Sequence, residues 1–265
     1  RGSRDTIAQA VSGSDGGYRV PNVPVGDYVA IVDTASVGDS AEVVRLDSGS
    51  FTLRPADSVT ITVGVSYPTV SIAQLRALPG GVRVFVSGRA ANEPTAFGDS
   101  IVHLLDVTGA IRATRVPAGL LLIGDSVRMS GARGARDGQP TLDNVTVFPL
   151  PLPQGALVPE LVTTAAADTA DGGRLDAALA RVADALILDS TTVDTPGLPG
   201  DGDYIITVDD GTGQLVVVFD GDAPLNVADY VPGARIFASG VLVPTGAGRW
   251  RLKPRVNLDV ACPTC

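Results

Sequence analysis

The side chains able to do chemistry are few and scattered along the chain. His103 is the only histidine, and it stands in an apolar stretch beside Val102, Leu104 and Leu105. A Ser-His-Asp site would have to be built around it without the G-x-S-x-G turn that presents the serine in one large family of hydrolases. We therefore expect His103 to be a hydrogen-bonded strand residue. We identify no catalytic residue and no cofactor site, so the protein is not expected to be an enzyme.

Carboxylates gather at residues 201–204, at Asp209 and Asp210, and at residues 220–222. Oxygen ligands at such spacing could hold Ca²⁺, but an EF-hand loop with its closing Glu is not present. Asp-Gly pairs are also common turn formers, and turn chemistry is the expected interpretation, with calcium left open and no metal site assigned. The Gly-rich residues 195–203 lack the Gly-Lys-Ser/Thr ending of a phosphate-binding loop, so we expect a flexible connection there.

Cys262 and Cys265 stand in C-x-x-C spacing near the end of the sequence. A single pair lacks the second pair of ligands that a structural zinc site needs, and no helix follows it as in a thioredoxin-type motif. We expect a disulfide, within the tail or to another chain, with an inert pair or metal and redox chemistry as the alternatives. Asn144 begins a glycosylation-type triplet whose use the sequence does not decide.

The elements that carry these residues are predicted to be strands. Hydrophobic residues make up 45% of the 265-residue chain and aromatic residues only 5%, so Val, Ile, Leu and Ala must fill the cores. Gly and Pro, 31 and 19 in number, divide the chain into short runs joined by turns. No apolar run approaches the roughly 20 residues that span a bilayer. The start at Arg1, as in a processed product, and the composition predict an extracellular or cell-surface location.

Residues 1–67 form the first predicted domain, in which residues 18–32 alternate as a β-hairpin does. Two stretches, D-G-x-Y and N-V-P-x-G-x-Y, stand at Asp15, Gly16, Tyr18, Asn22, Val23, Pro24, Gly26 and Tyr28. This pattern resembles the carboxypeptidase regulatory-like and related prealbumin-like β-sandwich domains. Members of that family carry one or two further strands before the D-G-x-Y turn, where this chain has only residues 1–14.

A sandwich short of a strand exposes unpaired backbone groups and a gap in its core. A strand supplied by another chain would repair both faults. The predicted donor is the extended stretch containing Thr6, Ile7, Ala8 and Val11, or alternatively the tail near Cys262.

Two further domains are predicted, residues 68–152 and residues 153–265. The first opens with a short helix or turn over residues 71–81, and its strands are predicted at residues 82–90, 101–106, 110–116, 124–133 and 141–150. The second opens with a Pro- and Ala-rich linker over residues 153–175 that contains or leads into a short helix. Its strands are predicted at residues 178–189, 204–210, 214–220, 233–243 and 249–260.

The third domain repeats the second. Asp106-Val107-Thr108-Gly109 corresponds to Asp210-Gly211-Thr212-Gly213, and residues 124–131 correspond to residues 233–240. A tight D-x-T-G turn joins the second and third strands, and a Gly lets the fourth strand bend. This order resembles the OB-fold, specifically the OB-like domains of exported bacterial proteins, sometimes beside nucleases or phosphoesterases. The predicted fold class is all-β, an incomplete N-terminal β-sandwich followed by two tandem OB-like five-stranded barrels.

OB barrels often bind single-stranded nucleic acid. The candidate ligand face in the second barrel is Arg249, Trp250, Arg251, Lys253 and Arg255, and the first barrel offers Arg112, Arg115, Arg128, Arg133 and Arg136. A net charge of −9 opposes a phosphate backbone, however. Alternation would also place the basic residues of 249–255 on an ordinary solvent face. Nucleic acid is therefore not the expected partner.

The resulting prediction is a non-enzymatic extracellular structural or adhesive protein that assembles with copies of itself. Strand complementation between subunits would build a homo-oligomer or an open filament. The alternative is a ligand-binding accessory module of an exported hydrolase, whose barrels hold single-stranded nucleic acid or a glycan.

Overall fold

The computed structural model describes residues 6–11, 17–33, 42–46, 49–151, 156–195, 198–223 and 225–263. The chain divides into two compact units, residues 1–66 and residues 67–265. Strands dominate both units, which confirms the predicted all-β class. Among the described residues, no helix is both long enough and apolar enough to cross a bilayer.

The first unit contains two antiparallel strand pairs. Strand β1 (Gly26–Val29) pairs with β3 (Ser50–Leu53), and β2 (Glu42–Leu46) pairs with β4 (Val63–Ser66). The predicted hairpin over residues 18–32 is not formed, since residues 17–24 contain no strand. Pro21 and Pro24 cannot donate to a strand ladder, and Asn22 between them has a positive φ of 59°.

The carboxypeptidase regulatory-like domain is not confirmed. Asp15 and Gly16 of its motif lie outside the described residues, whereas Tyr28 packs on Phe51 with ring centroids 5.9 Å apart. The predicted strand-exchange residues Thr6, Ile7, Ala8 and Val11 form no regular element and are exposed.

The first barrel begins after α1 (Ile72–Ala77) and contains β5 (Arg83–Ala90), β6 (Val102–Asp106), β7 (Gly109–Ala113), β8 (Ser126–Arg136) and β9 (Gln139–Pro149). It closes in the order β5-β6-β7-β9-β8, with β7 and β9 parallel. This is the Greek-key barrel order of an OB-fold. Its core contains Val84, Val86, Leu104, Ile111, Met129 and Leu142.

The second barrel has the same order. It contains β10 (Glu160–Leu161), α2 (Thr164–Asp168), β11 (Leu179–Thr195), β12 (Leu198–Asp209), β13 (Gln214–Phe219), β14 (Arg235–Gly246), β15 (Arg249–Lys253), a 3-10 turn (Asn257–Asp259) and β16 (Val260–Ala261). Pairing of β11 with β14 closes the ring, and β13 and β15 are parallel. The strand predicted over residues 249–260 ends at Lys253, because Pro254 cannot donate a ladder hydrogen bond.

In the first barrel, the D-x-T-G turn also caps the helix that precedes the barrel. Asp106 Oδ1 accepts hydrogen bonds from the N–H groups of Thr108 and Gly109, at 2.6 and 3.0 Å. Its Oδ2 accepts from the N–H of Ile72 at 2.8 Å, and Thr108 Oγ1 accepts from the N–H of Ala73 at 3.0 Å. The first N–H groups of α1 are thus satisfied by the turn between β6 and β7.

The second barrel repeats this arrangement. Asp210 Oδ2 accepts from the N–H of Thr164 at 3.1 Å, and Thr212 Oγ1 accepts from the N–H of Ala165 at 3.2 Å. Burial raises the pKa of Asp210, but hydrogen bonds from Thr212 and Thr164 outweigh it, so the pKa lies below its usual value. Both copies of the motif therefore join a helix to a hairpin.

Candidate ligand-binding cleft between the two barrels

The two barrels are joined through buried contacts. Ala91 and Phe97 of the first barrel pack with Leu179 and Val241 of the second. Arg255, which is buried, donates to the carbonyl oxygen of Ala91 at 2.7 Å. These contacts hold facing surfaces of the two barrels at a defined separation.

A cleft of about 620 Å³ opens beside this junction. The first barrel contributes residues from the β5–β6 loop, from β6 and β7, and from the turn between β8 and β9. The second barrel contributes the β14–β15 hairpin. The lining residues used below are Phe97, Asp99, His103, Arg112, Arg136, Asp137, Arg251 and Lys253. In an OB-fold, the second and third strands with these two loops form the face that binds ligands.

Positive charge converges on the cleft from both barrels, in Arg112, Arg136, Arg251 and Lys253, against two carboxylates, Asp99 and Asp137. Arg112 is paired with Asp137 at 3.1 Å. Within the described parts of the chain, Arg136 and Arg251 have no ion pair. The charge of Arg136 nevertheless acts on the Asp99 carboxyl, where it opposes the rise in pKa that burial causes. The two guanidinium groups are therefore the cations of the cleft that have no direct ion pair among the described residues.

Lys253 is buried at the inner wall. Its ammonium group forms an ion pair with Asp220 and lies 4.7 Å from the centroid of the Phe97 ring. Burial raises the pKa of Asp99, while the N–H of Ile101 and the charge of Lys253 act in the opposite direction. The ring of Phe97 gives this charged cleft an apolar wall.

His103 lies between the charged groups, and its tautomer follows from its neighbour Asn92. The Asn92 amide nitrogen donates to the carbonyl oxygens of Glu93 and Ile101, at 3.0 and 2.9 Å, so its Oδ1 is the accepting atom. That oxygen accepts from the His103 backbone N–H at 2.8 Å and is 2.9 Å from His103 Nδ1. Nδ1 therefore carries the proton, and Nε2 is an acceptor.

The imidazole of His103 stays neutral at physiological pH. Burial, followed by the charges of Arg112, Lys253 and Arg255, lowers its pKa to about 3. Its Nε2 is buried and has no hydrogen-bond partner among the described residues. We expected a hydrogen-bonded strand histidine. Nδ1 has the expected hydrogen bond, whereas Nε2 has none among the described residues, so the expectation is corrected at that atom.

The predicted ligand face of the second barrel is divided by the fold. Arg249 is exposed and pairs with Asp168 at 2.8 Å, and Trp250 is buried. Only Arg251 and Lys253 line the cleft. Arg255 is buried in an ion pair with Asp259 at 2.7 Å. Lys253 lies on the same face of β15 as Arg251, as predicted, but it is buried because Phe97 and Asp220 lie against its ammonium group. The alternation ends beyond Lys253, where the strand ends.

Arg112 and Arg136 are the members of the first barrel's arginine set that line the cleft. Sequence reasoning did not single out Phe97 or Asp99, which stand in a loop without a recognisable motif. Their position directly before the second strand of an OB-like barrel was the one signal that could have indicated them.

The acidic turns behave as turns in the described part of the chain. Asp209 Oδ1 accepts from the N–H groups of Gly211 and Gly213, at 2.6 and 3.2 Å. Among the described residues, no group of three or more His, Cys, Asp or Glu side chains could hold a metal ion. Cys265 lies outside the described residues, so the disulfide with Cys262 stays a prediction. Asn144 is exposed on β9, and its glycosylation also stays a prediction.

No protein-family model matches the chain, and no curated protein does. Among solved structures, it is similar to the hypothetical protein ygiW from E. coli, at 14% identity over 32% of this chain and 98% of that chain, with a TM-score of 0.27. A murine DNA-binding protein bound to double-stranded DNA is 11% identical over 64% and 90% of the chains, with a TM-score of 0.33. A Replication Protein A heterotrimer bound to single-stranded DNA is 10% identical over 64% and 51%, with a TM-score of 0.26.

The predicted structural or adhesive polymer is corrected on this finding, since two of the similar structures named here are complexes with DNA. The expectation that nucleic acid is not a partner was wrong, and the homo-oligomer or homopolymer is not retained. Net charge could not decide the partner, because it is a sum over the chain, whereas a ligand experiences the local field of its site. At these identities and TM-scores the likenesses do not identify this chain's ligand, so the function proposed below rests on the cleft itself.

Proposed function

We propose that this protein binds single-stranded nucleic acid in the cleft between its two barrels. The observation that carries the proposal is the convergence of four cationic side chains on the ligand face of the first OB barrel, in a chain whose net charge is −9. Arg136 and Arg251, which lack ion pairs among the described residues, are the proposed phosphate contacts.

The shape of the cleft favours an unpaired strand over a duplex. Its volume of about 620 Å³ is comparable to the roughly 300–1,000 Å³ of pockets that enclose ligands. Phe97 and His103 lie in its wall, so an unpaired base that enters the cleft would meet an apolar ring and a neutral imidazole. The bases of a duplex are already stacked and paired, so they could not enter.

We propose binding without turnover. Nδ1 of His103 is hydrogen-bonded to an amide oxygen of Asn92 rather than to a carboxylate, and Lys253 is engaged by Asp220. Neither arrangement activates a nucleophile. Attachment to an exported hydrolase and an extracellular location stay predictions.

Three matched arginine variants test the proposal. Arg251→Gln and Arg136→Gln remove the two phosphate contacts, and Arg249→Gln is the control, because Arg249 lies on the same strand as Arg251 but outside the cleft. Fluorescence anisotropy with a labelled single-stranded oligonucleotide should show each cleft variant binding about 5-fold or more weakly. The slope of log affinity against log salt concentration should fall by about 0.7 per variant.

The control should bind as the parent protein does. Absence of saturable binding to single-stranded DNA at low salt would overturn the proposal. So would saturable binding of an oligosaccharide with no salt dependence, since this would identify the cleft as a sugar site.

A further inference from the structure

A second surface of the first barrel combines aromatic rings with arginines. The guanidinium carbon of Arg128 lies 3.9 Å from the centroid of the Phe85 ring, and the Phe148 ring lies 5.9 Å from that ring. The Tyr67 ring belongs to the same cluster, with its centroid 6.4 Å from that of Phe85. The guanidinium carbon of Arg83 lies 5.7 Å from the Tyr67 centroid. We call Arg83, Phe85, Arg128 and Phe148, with Tyr67, the aromatic–arginine face.

This face lies on the outer side of β5, β8 and β9, away from the barrel core. Val84 and Val86 alternate with Arg83 and Phe85 on β5 and are fully buried. Phe148, in contrast, is 44% exposed. Leaving so large an apolar ring in water has no benefit for the core of this barrel, whose packing is completed by the inward residues.

The charge of the three strands is opposite to that of the chain. Strands β5 and β8 contain no Asp or Glu, and β9 contains only Asp143. Asp143 accepts a hydrogen bond from Thr114 Oγ1 of the neighbouring segment at 3.0 Å. The same strands carry five arginines, Arg83, Arg89, Arg128, Arg133 and Arg136, of which Arg136 lines the cleft and the other four do not. Acidic residues outnumber basic ones by 29 to 20 in the whole chain, so this basic sheet is a local exception.

We infer that the aromatic–arginine face is a second contact surface for single-stranded nucleic acid. Exposed rings accept unpaired bases by stacking, and neighbouring guanidinium groups bind phosphates. Phe148 is the stacking platform, and Arg128, held over Phe85 and donating to Thr69 Oγ1 at 3.0 Å, is the phosphate contact. The inference rests on the proposed function, because it assigns the same class of ligand to a second part of the chain.

The test separates this face from the cleft. Phe148→Ser and Arg128→Gln alter the face, and Leu122→Ser is the control, since Leu122 is an exposed apolar residue of the same barrel at 60% exposure. Oligonucleotides of increasing length are titrated against each variant. A strand of a few nucleotides should bind all variants equally through the cleft, whereas a strand long enough to reach both surfaces should lose about 5-fold or more affinity in the two face variants.

Photocrosslinking with a bromouracil-containing long strand should modify the peptide that contains Phe148. Unchanged long-strand affinity in Phe148→Ser, with weaker binding in Arg251→Gln, would overturn the inference and leave the cleft proposal standing. Absence of single-stranded DNA binding by the parent protein would overturn both. A dimer of the parent that becomes a monomer in Phe148→Ser during sedimentation would also overturn the inference, because the occupant would then be a second copy of this chain.

Discussion

The Asp106 carboxylate accepts a hydrogen bond from the backbone N–H of Ile72 at 2.8 Å, across 34 residues of chain. Asp210 and Thr164 repeat the relationship in the second barrel at 3.1 Å. The helices α1 and α2 have only six and five residues, too few to be stable alone. Each is therefore held to its barrel by the turn that caps it.

Asp106→Ala and Asp210→Ala should each lower the free energy of unfolding by about 1–3 kcal/mol, because each leaves helical N–H groups without acceptors. Urea denaturation followed by circular dichroism measures this. Glu93→Ala is the control, since Glu93 is exposed and does not cap a helix. If Asp106→Ala and Asp210→Ala each lower the free energy of unfolding by no more than Glu93→Ala does, the caps do not stabilise the fold.

His103 should make stability depend on pH. Its pKa is lowered to about 3 by burial and nearby cations, while the unfolded value is about 6.5. Between these values the unfolded chain binds a proton that the folded chain does not, so stability should fall as pH decreases from 6.5 toward 3. The slope is about 1.4 kcal/mol per pH unit. Urea titrations at pH 7, 6 and 5 give the free energy of unfolding of the parent and of His103→Gln, and the difference between the two isolates this effect. If the two free energies change with pH by the same amount, the prediction is contradicted.

Replacing the glycine that ends each repeated segment should lower the stability of the protein. A Cβ on Gly131 would lie 2.8 Å from Leu142 Cγ, and one on Gly240 would collide with the Lys253 carbonyl oxygen. Gly131→Ala and Gly240→Ala should each cost about 1–3 kcal/mol through overpacking. Gly80→Ala is the control, because no atom of the described residues lies within 4 Å of its added Cβ. Equal melting temperatures for all three variants in thermal denaturation would contradict the prediction.

The buried pair of Lys253 and Asp220 should be costly to break from one side. Lys253→Met leaves the Asp220 carboxylate buried without its cation, and a loss of about 3–5 kcal/mol is expected. The double variant Lys253→Met/Asp220→Asn should regain part of the lost stability, because it no longer contains a buried carboxylate without a cation. A double-mutant cycle measured by urea denaturation gives the coupling, and additive effects would show that the ion pair contributes nothing.

Several features of the fold were predictable because they are local. Period-two alternation places β5 to β9, β13 and β14 close to their predicted ranges, since strand formation depends on neighbouring residues. The flexible connection predicted over residues 195–203 was wrong, because β11 continues to Thr195 and β12 begins at Leu198. The repeated D-x-T-G turns at Asp106 and Asp210 indicated the duplicated barrel for the same reason. The hairpin over residues 18–32 was wrong because Pro21 and Pro24 outweigh the alternation around them.

The sequence by itself determined the class of fold, the two barrels and the sites of their turns. Only the tertiary structure decided which charges meet. Arg112 and Arg136 reach the same cleft as Arg251 and Lys253 because the two barrels pack through Phe97 and Val241. Spacing along the chain contains no information on that contact, since packing between barrels depends on the shapes of surfaces distant in sequence. Total charge likewise contains none, since the electrostatic potential at a site decays with distance and is set by the groups around it.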